Sequence, residues 1–175
     1  MRKKTAPAPR PPARRANRPV VPAIDPFDRK ILSALVENAR ASNVAIAQKV
    51  GLSEAPCSRR IRRLEADEVI LGYHAQLDHD AIGIGFVAFV TLVLDYVTAS
   101  TAERFYQEIR AIPEIMSCYI VSGGYDALLH VAAKDSRAYS EIVFDRLRRI
   151  PGVKDVRSSF VMRTIKEGRA LPLMD

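Results

Sequence analysis

Ile112-Pro113-Glu114-Ile115 returns 38 positions later as Ile150-Pro151-Gly152-Val153, each time after a helical apolar pattern and before an extended one. No other feature constrains the fold as tightly, because it divides residues 86–163 into two similar halves. Phe86–Tyr96 reads as a strand with apolar residues on both faces, hence buried twice. Ser100-Thr101-Ala102-Glu103 has the form of a capping box, and Ala102, Phe105, Tyr106 and Ile109 follow at helical spacing. Ile115–Val121 and Tyr125–Ala133 read as strands about a Ser122-Gly123-Gly124 turn. Ser136–Ile150 reads as a second amphipathic helix with Tyr139, Ile142, Val143, Leu147 and Ile150 inward, and Val153–Met162 as the last strand. The order β-α-β-β-α-β predicts a ferredoxin-like antiparallel sheet with both helices on one face. The bare face then needs a partner, so a homodimer formed through it is expected.

Residues 25–72 carry a different pattern. Asp25 stands at an N-cap, Pro26 at the first helical position and Asp28 in the first turn, near the positive end of the helix dipole. Phe27, Ile31, Leu32, Leu35 and Val36 supply its apolar stripe. Ser42 can cap a second helix holding Ile46 and Val50, and Gly51 suits the left-handed position that ends it. Ser53 caps a third helix, with Pro56 in its first turn. On that helix Cys57, Ile61 and Leu64 share one face while Ala55, Arg59, Arg62 and Arg63 point away. A small apolar face under a cationic outer face suits a helix that docks on a core and lies in a DNA groove. Val69–Leu77 looks extended, as a wing or short hairpin would.

The formal charge of +7 says less about this domain than about the N-terminus. Residues 1–24 hold seven basic groups and no acid, while residues 25–80 hold eight and nine, and residues 81–175 twelve and eleven. With six of the eleven prolines and no apolar periodicity, residues 1–24 are expected to be a disordered basic tail adding salt-sensitive attraction to phosphates. Residues 73–85 would be a linker strand and hinge, and residues 164–175 a C-terminal tail. No apolar run approaches the ~20 residues of a membrane span. Cys57 and Cys118 offer neither a disulfide framework nor metal-ligand spacing, which suits a reducing cytoplasm and implies no metal and no cofactor.

Taken in order, these stretches resemble the Lrp/AsnC (feast/famine) family of bacterial and archaeal transcription regulators. The residues that carry the likeness are Ile24-Asp25, Asp28–Leu32, Arg40-Ala41-Ser42, Val50–Ser53, Cys57–Glu65 and Ile70–Tyr73, then Val121-Ser122-Gly123, Tyr125-Asp126 and Pro151-Gly152-Val153. The resemblance implies an α+β chain: an N-terminal winged helix-turn-helix, a linker strand and a C-terminal effector-binding and oligomerisation domain. It also implies dimers that assemble into tetramers or octamers, with a small effector, commonly an amino acid, bound where the Gly-x-Tyr-Asp loop meets a neighbouring dimer. Carried to this chain, the effector residues are Gly123, Gly124, Tyr125 and Asp126, with Ile120 and Ser136 beside them. Two positions depart from the family pattern. Gly124 replaces the usual Asp or Asn, and Glu68 stands where a glycine often follows the third helix, so that helix must end on a different cap.

The expected partner is double-stranded DNA. Arg59 and Arg62, opposite the core, are expected at base edges, Arg60 and Arg63 at phosphates, and Ser53, Ala55 and Ser58 along the same surface. The bland alternative is a solvated face pairing with Glu65 and Asp67. For Asp126 the bland alternative is a turn acid bonded to nearby amides. An enzyme of the same two-domain architecture, a siroheme-decarboxylase-like protein, is the competing function. It would need a basic, histidine-containing pocket, toward which the chain offers only His130 and Arg137. The expectation is therefore a cytoplasmic regulator and not an enzyme.

Overall fold

The structure, a computed structural model, describes residues 23–95 and 98–166. Tyr96, residues 1–22 of the expected basic tail and residues 167–175 of the C-terminal tail lie outside the described residues. The chain divides into two compact units, with the boundary between Ala75 and Gln76.

The first unit packs three helices, α1 (Pro26–Glu37), α2 (Asn43–Val50) and α3 (Glu54–Ala66). Local chemistry sets most of their ends. At α1 the Asp25 carboxylate accepts from the Asp28 amide, and the Asp28 carboxylate from the Asp25 amide, a reciprocal capping box with Pro26 just inside. Ser42 caps α2 through the Ala45 amide, and Gly51 closes it at φ 75°. Ser53 occupies the N-cap of α3, but its hydroxyl makes no capping bond. The core is Ile31, Leu32, Ala34, Ile46, Ala47, Val50, Cys57, Ile61 and Leu64. Phe27 and Val36, expected on the inner stripe of α1, are exposed.

Glu68 answers the question of how α3 ends. It takes the left-handed position itself, at φ 53°. Its amide donates to the Glu65 carbonyl and the Val69 amide to the Leu64 carbonyl, the paired bonds of a Schellman closure. This turn brings Val69 and Ile70 against the core of the first unit. The expected wing and linker strand do not form: from Asp67 to Gly85 the chain makes no strand pairing. Leu71, Tyr73 and Leu77 are exposed, and an extended segment without a partner strand is not stable alone.

The second unit runs β1 (Phe86–Leu94), α4 (Ala99–Arg110), β2 (Ile115–Ile120), β3 (Ala127–Ala133), α5 (Ser136–Glu141) and β4 (Val153–Phe160). The antiparallel sheet has the order β2-β3-β1-β4, the ferredoxin-like arrangement expected from the repeat. The cap of α4 is Thr98, whose hydroxyl accepts from the Thr101 amide, rather than the box expected at Ser100. After α5 the helical path widens to a π turn (Ile142–Arg146) and tightens to a 3-10 turn (Leu147–Arg149). Ile150 is then extended, as a residue before proline prefers. All five inward residues expected on this stretch are buried.

Period-two alternation sorts the sheet. Ala88, Val90, Leu92, Leu129 and Val131 pack under Phe105, Ile109, Tyr139 and Leu147. Phe89 and His130 pair across β1 and β3 and stack with ring centroids 4.6 Å apart, on the face away from the helices. Phe89 stays 42% exposed and Tyr119 of β2 55%. The sheet is thus buried on one side only in a single chain.

Because Glu68 carries a side chain at a position where glycine is unstrained, Glu68→Gly should stabilise the first unit by about 0.5–1 kcal/mol. Thermal unfolding measures this. A lowered midpoint would show that contacts of the Glu68 side chain outweigh the backbone strain.

Candidate nucleic-acid interface and effector loop

On α3 the apolar stripe of Cys57, Ile61 and Leu64 is buried, and Arg59 and Arg62 stand exposed on the far side with Ala55. Among the described residues neither arginine has an ion pair or hydrogen bond. Ser53 is exposed and Ser58 half-buried, the latter accepting from the Asn43 side-chain amide at 3.4 Å. These residues form one polar surface, with two guanidinium groups available to a partner.

Arg60 and Arg63, expected at phosphates, have partners within the chain and turn along the flank of α3 toward α1. Arg60 Nη1 donates to Asp28 Oδ1 at 2.9 Å and also to Asp25 Oδ2, while Arg63 Nη2 donates to Asp28 Oδ2. The Phe27 ring lies 5.6 Å from the Arg60 guanidinium carbon. The physical reason is Asp28, which is fully buried (0% exposed) and must have its charge compensated. Hydrogen bonds from the Asp28 amide and then from Arg60 hold the Asp25 carboxyl below its usual range, and hydrogen bonds to the Asp25 and then the Asp28 carboxylate raise Arg60. The bland alternative named Glu65 and Asp67 as the pairing acids; the partners seen for Arg60 and Arg63 lie 32 to 35 residues back in the chain.

The other flank of α3 is open. A groove of about 250 Å³ is lined by Leu35, Asn43, Ser58, Arg62, Glu65 and Tyr73 among others. Across it Tyr73 donates its hydroxyl to Glu65 Oε1 at 2.9 Å. Burial, then this bond to a carboxylate, pushes the Tyr73 hydroxyl up to about 12.

In the second unit, Ile120, Gly123, Gly124, Tyr125 and Asp126 come together in the β2–β3 turn. A Cβ added at Gly124 would meet open space, so the absence of a side chain there is not forced by packing. Asp126 is tied into the sheet. Its Oδ2 accepts from the Leu94 amide at 2.7 Å, its amide donates to the Leu92 carbonyl, and its carbonyl accepts from the Val121 amide. The acid therefore pins the loop to β1, which leaves one carboxylate oxygen without a partner among the described residues. Ser136, expected beside this loop, starts α5 beyond the opposite end of β3. At about 3.3 Å per residue, seven strand residues put it roughly 20 Å away within one chain.

Residues 24–65 match the AsnC-type helix-turn-helix domain and residues 87–171 the Lrp/AsnC ligand binding domain. The leucine-responsive regulatory protein of Escherichia coli (strain K12) is 36% identical over 148 residues, 85% of this chain and 90% of that protein. The Bkd operon transcriptional regulator of Pseudomonas aeruginosa is 39% identical over 150 residues, 86% and 98% of the two chains. The chain belongs to the Lrp/AsnC family. Among solved structures, a transcriptional regulator from Neisseria meningitidis in complex with L-Met superposes with TM-score 0.82 at 36% identity, covering 86% of this chain and 97% of that one. This Lrp/AsnC chain is thus a DNA-binding transcriptional regulator with an N-terminal helix-turn-helix and a C-terminal α+β ligand-binding domain.

In this regulator His130 and Arg137 do not converge. His130 stacks on Phe89 on the bare face of the sheet, whereas exposed Arg137 lies on α5 in the helix layer and pairs with Glu141 at 3.5 Å. Among the described residues no group of three potential ligands could hold a metal ion, and no helix is long and apolar enough to cross a membrane. Sequence reasoning missed Asp28 and Tyr73 as parts of the α3 surroundings. Asp28 had a signal, the reciprocal spacing with Asp25, but its arginine partners lay two helices away.

Removing the Asp126 side chain should unpin the loop. Asp126→Ala is expected to destabilise the second unit by about 1–2 kcal/mol, since the Leu94 amide loses its acceptor. Asp126→Asn, which keeps an acceptor oxygen, should cost less in the same denaturant titration. Equal losses would mean the carboxylate charge, not the bond, holds the loop.

Proposed function

We propose that this regulator reads its operator with Arg59 and Arg62 at base edges, supported by Ser53, Ala55 and Ser58 along the same surface, and with Arg60 and Arg63 withheld from the DNA. What supports this is the division of the four arginines: two occupied by Asp25 and Asp28, two exposed and unpaired. A bidentate arginine contact to guanine is the commonest specific contact in a major groove. Two copies joined through the bare sheet face, where Phe89 and Tyr119 are exposed, would present two recognition helices to half-sites about one helical turn apart.

The effector site of this reading is the loop of Ile120, Gly123, Gly124, Tyr125 and Asp126, open to a small molecule. An amino acid is the class of choice, from the L-Met bound to the Neisseria meningitidis regulator and the leucine response named for the Escherichia coli relative. An α-ammonium group suits the remaining oxygen of Asp126, and glycine-rich backbone can turn amides to a carboxylate. Ser136 joins such a site only if a neighbouring copy supplies it, as tetramers or octamers of dimers would allow. The protein acts in the cytoplasm as a regulator and not as an enzyme; the separation of His130 from Arg137 argues against a tetrapyrrole pocket.

Selection of bound sequences from a random DNA pool, repeated with each amino acid, tests the reading. A defined sequence should emerge, with affinity altered by at least one amino acid. A protein that retards no DNA and takes up tetrapyrrole absorbance would overturn it. Arg59→Ala and Arg62→Ala should each cost about 1–3 kcal/mol in specific binding. Phe89→Lys should split the dimer in sedimentation and weaken operator binding without altering a residue of α3. An unchanged sedimentation coefficient would place the dimer contact elsewhere.

A further inference from the structure

We propose that the Asp25–Asp28–Arg60–Arg63 network sets the roll of α3 about its own axis, and so aims Arg59 and Arg62. Asp28 is then a positioning residue for DNA reading, and this rests on the assignment of α3 as the reading helix.

The apolar contact of α3 is a single narrow line: Cys57, Ile61 and Leu64. Such a line fixes how deeply the helix sits but resists rotation about itself only weakly. Rotation must be stopped at the flanks, and the two flanks differ. On one, Asn43, Ser58, Arg62, Glu65 and Tyr73 border an open groove of about 250 Å³, bridged by the Tyr73–Glu65 bond and the 3.4 Å Asn43–Ser58 contact. On the other, two guanidinium groups are clamped by two carboxylates, and Asp28 is buried with both of its oxygens engaged. The clamp is stiff because Asp25, Asp28 and Arg60 each have more than one partner, with Arg63 added through Asp28. Arg60 meets Asp25, Asp28 and the Phe27 ring, and Asp28 is also held by the Asp25 amide.

Rotation matters at the tips. A side-chain tip about 6 Å from the helix axis moves about 1 Å for every ~10° of roll. Bidentate hydrogen bonds to a base do not tolerate a shift of that size. The network is also neutral, two acids against two bases, so it contributes no net charge toward phosphate. The sequence offers four arginines; the structure spends two of them on aim.

The test compares the full-length wild type with Asp28→Asn, Arg60→Gln, Arg63→Gln, Arg59→Ala and Arg62→Ala. Affinity for a selected operator and for random DNA is measured across a salt series, after circular dichroism has shown the helical content to be kept. Each phosphate-neutralising contact contributes about −0.9 to the slope of log K against log salt. Arg60→Gln and Arg63→Gln should leave that slope unchanged. Asp28→Asn should narrow the discrimination between operator and random DNA about tenfold, the value of one misaligned base contact, while the net charge of +1 left on the network keeps random-DNA affinity from falling. A slope reduced by about one unit in Arg60→Gln or Arg63→Gln would show direct phosphate contact and overturn the proposal. So would an Asp28→Asn protein that discriminates operator from random DNA as well as the wild type. Should Asp28→Asn not fold, Arg63→Gln decides: half-exposed Arg63 can be removed while Arg60 still covers Asp28, and narrowed discrimination at constant slope is the supporting result. A wild type that selects no sequence would instead overturn the DNA-reading assignment, and the wild-type arm alone shows it.

Discussion

Removing a carboxylate from water costs several kcal/mol, and Asp28 can be fully buried only because Arg60 and Arg63 surround it. That compensation joins the first turn of α1 to the middle of α3. It also occupies two of the four arginines of α3 with intramolecular partners. The pairing of one buried residue thus reaches side chains of the outer helix. A basic helix face counts toward DNA binding only after its intramolecular partners have been subtracted.

The second unit obeys a related constraint, in apolar terms. A two-layer fold covers one face of its sheet, and the alternation along β1 and β3 puts apolar side chains on both. Ala88, Val90 and Leu92 are satisfied by the helices, while Phe89 and His130 are left to stack on each other at the bare surface. The covered face specifies the fold, and the uncovered one leaves Phe89 and Tyr119 exposed. At the edge, Asp126 holds its loop against β1, so the loop that would receive an effector is mechanically connected to the central strand of the sheet.

Much of this was legible residue by residue. The starts of α1 and α2, the Gly51 closure and the inner faces of α3 and of the Ser136–Ile150 stretch follow from contacts within a turn or two, which sequence spacing encodes directly. The βαββαβ order followed from the repeated Ile-Pro pattern for the same reason. Other features were hidden. Thr98 outcompeted Ser100 as the cap of α4, a choice between near neighbours that depends on where the chain enters the helix. The wing failed because an extended segment needs a partner strand, and none pairs with it among the described residues. Ser136 and the Gly123–Asp126 loop are close in sequence yet separated by the length of β3.

The sequence by itself determined the two-domain α+β plan, the third helix with its cationic outer face, and the family to which the chain belongs. These rest on periodicity and local capping, both written within short windows. Only the tertiary structure decided that Arg60 and Arg63 serve Asp28 and Asp25, and that Asp126 serves the Leu94 amide. Those pairings join residues 32 or more positions apart, and charge compensation in a folded chain depends on distance in space, which no local pattern records.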